Sequence, residues 1–324
     1  LEKDENPKPT LALEYNFARK SLGPYVAKSI AHIWELGGGP KLSNLLDVTV
    51  SKDSVGNLCY IVVVDLSSPK ELWVNLTHFL SSYEVRIMQV LERISIKSKE
   101  NLRHEILAKA QARIDEKHSD RELMNIFPVS LIIIGSKYDE FLVTHFPNLF
   151  KKKQKEDDRK LITLFLRFVA HFYGGALFFT STSDPTAKKR IGNYLSHIAF
   201  GTPNAIIPPI TQDKPLHILP GQDSFALIGF PPVDKELRKG SEKSPLTFWQ
   251  SAFCQRFPQV ALPVPNESGL NAKFDPALSK QFAEPQVDSV RQAKDEELER
   301  YRRQSERSMR EQLKQAAVDG LIFV

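Results

Sequence analysis

Cysteine is nearly absent: the 324 residues hold two, Cys59 and Cys254, too few for a disulfide framework. Cys59 lies inside an apolar run and reads as a small buried thiol, which fits a reducing compartment. No run of about 18 apolar residues occurs, so no transmembrane helix is expected. The polar opening LEKDENPKPT also lacks the charged-then-apolar order of a signal peptide. A cytosolic chain with no membrane partner is the expectation. Charge of one sign is scarce too: 44 basic against 39 acidic residues leave +5, a thin surplus with no aromatic-interleaved basic face, so no nucleic-acid partner is expected. The eight His are scattered, none paired at metal-ligand spacing or beside a Cys, and no metal or cofactor is expected. Hydrolase chemistry has no Gly-x-Ser-x-Gly anchor. What the chain does have is core material, 41% hydrophobic with 20 Phe.

Leu58 to Asp65 (LCYIVVVD) is short, β-branched and apolar on both alternating sets, the signature of a central parallel strand covered on both sheet faces. Phe127 to Gly135 and Ala176 to Thr180 have the same character, and helical-period sequence separates all three. Ser68-Pro69-Lys70-Glu71 announces a helix whose Leu72, Leu76, Leu80, Tyr83, Ile87, Leu91 and Ile94 form one apolar face. Lys97 to Glu116 predicts a second, more exposed helix, and Ala187 to Phe200 a further one. Lys160 to Tyr173 is apolar almost all round, hence a deeply buried helix ended by Gly174-Gly175. Thr10 to Arg19 and Val26 to Glu35 alternate as an antiparallel edge pair turning at Gly23-Pro24. Lys151-Lys152-Lys153 and Glu156-Asp157-Asp158 read as a solvated, self-compensating loop. Strand, helix, strand, helix, strand predicts an α/β fold with a doubly wound, mostly parallel sheet.

Open α/β sheets bind ligands at the carboxyl ends of their strands. Four segments stand there or beside the edge pair: Pro9-Thr10, Trp34 to Gly39, Gly135-Ser136-Lys137-Tyr138-Asp139, and Thr180 to Ser183. In that order they resemble the switch and guanine-recognition segments of Ras-like GTPases. The resemblance implies vestigial nucleotide-site positions at Thr10, Glu35, Gly38, Ser136, Lys137, Asp139 and Ser181. Thr10, Gly38, Lys137, Asp139 and Ser181 match; Glu35 replaces the metal-side Asp, Gly39 the water-orienting Gln, and Ser136 the Asn of the guanine motif. Without the water-orienting amide, hydrolysis is expected to be slow at best. No Gly-x-x-x-x-Gly-Lys-Ser/Thr loop occurs in these residues. In Ras-like chains that loop lies upstream of the first switch, so the expected fold is Ras-like without its phosphate-loop segment.

A closer resemblance runs through Pro7 to Tyr15, Trp34 to Gly39, Gly135 to Asp139, Leu166 to His171, Gly221 to Phe225, Ile228 to Val233 and Glu297 to Tyr301. These stretches look like the light intermediate chains of cytoplasmic dynein 2. The resemblance implies a degenerate GTPase-like domain over residues 1–205, an extension packed on it over 206–265, and a tether with a charged C-terminal helix over 266–324. It implies a non-catalytic subunit that binds and stabilises the heavy-chain tail of the motor for retrograde intraflagellar transport and cilium assembly. Other dynein 2 subunits and the transport trains are implied partners, and cytoplasm, cilium, basal body and microtubules the implied setting. The alternative is a Rab-like GTP-binding switch.

Two segments suit contact with another chain. Leu246 to Phe257 carries Trp249 and Phe253, a large apolar payload for a peripheral element. Val287 to Lys314 predicts a charged helix with Glu296/Arg300, Glu299/Arg303 and Glu306/Arg310 at four-residue spacing. Its apolar stripe of Val290, Leu298, Tyr301, Met309 and Leu313, with Val287, is narrow, and docking by that seam is favoured over a free charged spacer.

Overall fold

The alternation of β-branched strands with helical-period sequence folds into layers. The computed structural model describes residues 9–21, 28–97, 102–143, 152–203, 215–231, 245–260 and 285–318. Strands β1 (Leu13–Lys20) and β2 (Ser29–Leu36) come first, and a 3-10 stretch over Gly39–Thr49, which the sequence pattern does not announce, leads to β3 (Cys59–Asp65). Next come α1 (Pro69–Lys97), α2 (Leu102–Gln111), β4 (Ser130–Ser136), α3 (Tyr138–Val143), α4 (Lys152–Phe172), β5 (Ala176–Phe179) and α5 (Pro185–Phe200). The chain continues through β6 (His217–Ile218), α6 (Phe225–Ile228) and α7 (Pro245–Arg256) to α8 (Pro285–Val318). Two compact units result, Leu1–Leu262 and Pro263–Val324.

In the first unit β3, β4 and β5 run parallel in the order β3-β4-β5-β6, with β6 antiparallel at the end. Tyr60, Val62, Leu131, Ile133, Leu177 and Phe179 join one core with α1 and α4. Ile132, Ala176 and Phe178 meet Tyr194 of α5 on the opposite face. Helices therefore cover both faces, the doubly wound arrangement expected. β1 and β2 pair antiparallel, with Tyr15 opposite Trp34, as the alternation predicts, but among the described residues they form a two-stranded ribbon of their own and not the expected edge of the main sheet. The Gly23-Pro24 turn lies outside the described residues.

One expectation for β3 fails. Among the described residues it is an edge strand, and on the face away from α1 its Ile61 and Val63 are 38% and 63% exposed. Apolarity on both alternating sets tells what a strand can bury, not whether α5 reaches far enough across the sheet to cover it.

From Lys160 onward α4 is apolar almost all round because it has neighbours on both sides. Phe165 packs on Trp73 of α1 at 5.3 Å and on Phe253 of α7 at 4.3 Å between ring centroids. Phe168 stacks with Trp249 of α7 at 5.2 Å and lies 5.5 Å from Phe225 of α6. The extension thus roofs α4. Trp249 and Phe253 are 3% and 0% exposed, so their rings are spent inside this chain and do not offer a surface to another. Phe225–Ile228 is a short helix because Ser224 Oγ accepts the Leu227 N–H and Gly229 takes φ 73° after it.

The charged insertion also differs from its reading as a solvated loop. From Lys152 the backbone is helical, and Asp158 turns inward, 1% exposed, to accept from Arg256 Nε at 2.5 Å. Gln259 adds a second tie, accepting the Trp73 N–H at 3.0 Å and donating to the Pro69 carbonyl at 3.0 Å.

A buried polar clasp completes the attachment. Arg167 donates from Nε and Nη2 to the two oxygens of Asp223, each at 2.8 Å. Asp120 Oδ2 accepts the Phe225 N–H at 2.7 Å and His171 Nε2–H at 2.8 Å. His118 Nε2 donates to the Asp223 carbonyl at 3.0 Å while its Nδ1 accepts the Asp120 N–H at 3.2 Å, which fixes the neutral tautomer. His118, Asp120 and His171 bring ligand atoms within 4.8 Å of one another, but these hydrogen bonds already engage them.

Burial lowers the His171 pKa below its ordinary 6.5, Asp120 opposing. Burial also opposes ionisation of Asp120, but the Phe225, His171 and Ser119 bonds prevail and hold its carboxyl below 3.8. Both folded values lie below the unfolded ones, so the unfolded chain binds more protons as pH falls. Stability should decline from about pH 6.5 downward through His171, and further below about pH 3.8 through Asp120. His171→Gln should flatten the melting temperature between pH 7.5 and 5.5; an unchanged pH slope would remove His171 from the clasp's titration.

Candidate functional site

The carboxyl ends of β3, β4 and β5 converge on one group of loops. Backbone bonds knit them: Leu66 N–H to Ser136 O at 3.2 Å, Thr180 N–H to Gly135 O at 2.8 Å, and Tyr138 N–H to Thr180 O at 3.0 Å. Gly135 is required by close approach, because a Cβ there would lie 2.8 Å from both Leu66 Cδ2 and Phe179 Cδ1. Ser136 Oγ donates to Val64 O at 3.0 Å. Lys137 sits at φ 56°, a left-handed conformation that costs a non-glycine residue on the order of 1 kcal/mol or more.

That conformation accompanies an ion pair between Lys137 Nζ and Asp65 Oδ2 at 2.8 Å. Asp65 also accepts from the Ser67 N–H at 2.8 Å and Ser67 Oγ at 2.6 Å. Burial works against ionisation of Asp65, yet the Lys137 and Ser67 bonds hold its carboxyl below the ordinary value. The same pairing raises the Lys137 ammonium. Both groups are partly exposed, so the pair orders the loop more than it stabilises the fold. Asp139 is bonded by Ser181 and by Ser183 Oγ, the latter at 3.1 Å, and these bonds hold its carboxyl low.

Four of the sequence-derived positions, Ser136, Lys137, Asp139 and Ser181, are therefore brought together. Asp65 and Ser183 belong with them and were missed; an acid ending a core strand opposite a lysine loop was the available signal.

Thr10, Glu35 and Gly38 form a second group. Gly37 N–H donates to Ala12 O at 2.7 Å, and a Cβ on Gly37 would lie 1.9 Å from the Thr10 carbonyl oxygen, so only glycine lets the two segments touch. Gly38 takes φ 74°. Glu35 faces solvent and is paired in register with Glu14, where two like charges oppose each other. No hydrogen bond or ion pair joins the two groups among the described residues.

The second unit presents the remaining candidates. α8 has 34 residues, about 51 Å at 1.5 Å per residue. Lys294–Glu297 at 2.7 Å and Arg303–Glu299 at 3.1 Å brace it. Of the other expected pairs, Arg300 Nε donates to the Glu296 backbone carbonyl at 3.3 Å, and the side chains of Glu306 and Arg310 lie outside the described residues. Val287, Val290, Leu298 and Tyr301 are each at least half exposed. The side chains of Met309 and Leu313 also lie outside the described residues. No helix among the described residues is long and apolar enough to cross a membrane.

No family model matches the chain. The chain is 37% identical over 312 residues to the cytoplasmic dynein 2 light intermediate chain 1 of Bos taurus, across 96% of this chain and 84% of that protein. The Homo sapiens protein of the same name gives the same figures, and that of Danio rerio 36% over 312 residues, 95% of this chain and 81% of the relative. Among solved structures, the crystal structure of the dynein light intermediate chain's conserved domain matches with a TM-score of 0.51 at 16% identity, over 79% of this chain and 91% of that one. That likeness is one of fold, and it agrees with the Ras-like α/β class. The identity shared along nearly the whole length decides the rest: the chain belongs to the cytoplasmic dynein 2 light intermediate chain family.

Proposed function

We propose that this chain is a non-catalytic subunit of the cytoplasmic dynein 2 motor, binding and stabilising the heavy-chain tail for retrograde intraflagellar transport and cilium assembly. It works beside the other dynein 2 subunits and the transport trains, in the cytoplasm, at the basal body and along ciliary microtubules. The observation that carries the reading is the near full-length identity with dynein 2 light intermediate chains. The exposed stripe of α8 supports a docking role, with Val290, Leu298, Tyr301, Met309 and Leu313 as its contacts.

A Rab-like switch is the second reading, favoured by the retained Lys137, Asp139 and Ser181. Against it, each of these groups is bonded to a neighbouring strand end of this chain, and Gly39 stands where an amide would orient the attacking water.

Co-expression with the heavy-chain tail tests the proposal. The full-length chain should co-purify with the tail, and Asp139→Ala should leave that capture unchanged, since Asp139 ties two loops of this chain to each other. A chain that folds but ignores the tail would overturn the subunit reading. Selective loss of capture in Asp139→Ala would favour the switch.

A further inference from the structure

The stripe on α8 repeats. Val287, Val290 and Arg291 are followed eleven residues later by Leu298, Tyr301 and Arg302, and in the sequence Met309 continues the step from Leu298, while Gln312 and Leu313 stand at the Tyr301 and Arg302 registers. Eleven residues make three turns at about 3.67 per turn, so the stripe drifts only about 20° per repeat and stays nearly parallel to the axis for about 16 Å each time. A seven-residue seam would wind the opposite way. Arg291 and Arg302 border one side of the stripe and make no ion pair among the described residues, whereas Lys294, on the stripe itself, is tied to Glu297.

We propose that the occupant of this stripe is a helix of the heavy-chain tail with carboxylates at eleven-residue spacing facing Arg291 and Arg302, and apolar sockets between them. This rests on the subunit reading above. Charge decides against a second copy: antiparallel α8 helices would set each arginine border against itself, and parallel ones would set Lys294 against Lys294. The period predicts a slightly right-handed or straight crossing, which commits the partner to the same repeat.

The test uses the full-length chain co-expressed with the heavy-chain tail. Arg291→Glu/Arg302→Glu should lower capture by about tenfold or more, while Arg300→Glu/Arg307→Glu, the same charge change on the opposite face, should stay within about twofold. Far-UV circular dichroism checks that the helix persists in both. Equal losses in the two variants would overturn the proposal. So would full capture by Arg291→Glu/Arg302→Glu when removal of Pro285–Val318 abolishes it, which leaves the subunit reading standing. If removal changes nothing, docking through α8 fails as well. A doubled mass of the isolated chain by light scattering, reversed by Arg291→Glu/Arg302→Glu, would assign the stripe to a second copy and overturn the proposal.

Discussion

Asp223→Ala is expected to destabilise the chain by about 3–5 kcal/mol, because it strands a buried guanidinium. Asp223 is 3% exposed and receives both Arg167 donors at 2.8 Å, and Arg167 lies in the most apolar stretch of α4. Domains are stable by only about 5–15 kcal/mol in total, so a loss of this size approaches the margin. At about 2–4 °C per kcal/mol for a unit of this size, melting should fall by roughly 10 °C. Arg167→Met/Asp223→Leu should recover most of that loss, since an apolar pair of similar volume leaves no charge buried alone. A loss below about 1 kcal/mol for Asp223→Ala would mean that water reaches the pair.

Removing Pro285–Val318 should cut capture of the heavy-chain tail by about ten- to a hundredfold. Burying Val287, Val290, Leu298 and Tyr301 offers about 1.5–3 kcal/mol for each large side chain, most of it offset by ordering two helices. A net 1.4–2.8 kcal/mol corresponds to about that factor. The melting temperature should not change, because the first unit closes its own core by Leu262. Capture by pull-down and melting by circular dichroism separate the two effects. Undiminished capture would leave all tail binding to the Ras-like unit.

The strands and helices were legible where one residue type dominates a period. β3 and β4 follow β-branched runs, β5 a short apolar one, and α5 its expected range closely, with Asp184 capping it through the Thr186 and Ala187 amides. Cover was not legible. Val63 and Trp249 are both large and apolar, yet one is exposed and the other buried, because each depends on a segment far along the chain. Trp249 was read as partner-facing since nothing local shows that α4 needs a roof. The clue existed in α4 itself: a helix apolar on all sides must have two neighbours. Arg167 in that helix likewise called for an acid, and Asp223, fifty-six residues on, supplies it.

The loop at the strand ends was legible only through resemblance. Lys137 and Asp139 carry the same side chains whether they read guanine or close their own loop. Their partners Asp65 and Ser183 decide between the two, and those lie on other elements.

A Ras-like fold used as a rigid bracket should be indifferent to nucleotide, and linkage makes that measurable. The affinity of the full-length chain for the heavy-chain tail can be determined with GTP–Mg, with GDP–Mg and with neither. One dissociation constant is expected in all three conditions. A difference of about tenfold or more, equal to about 1.4 kcal/mol of coupling, would show a working switch and contradict it.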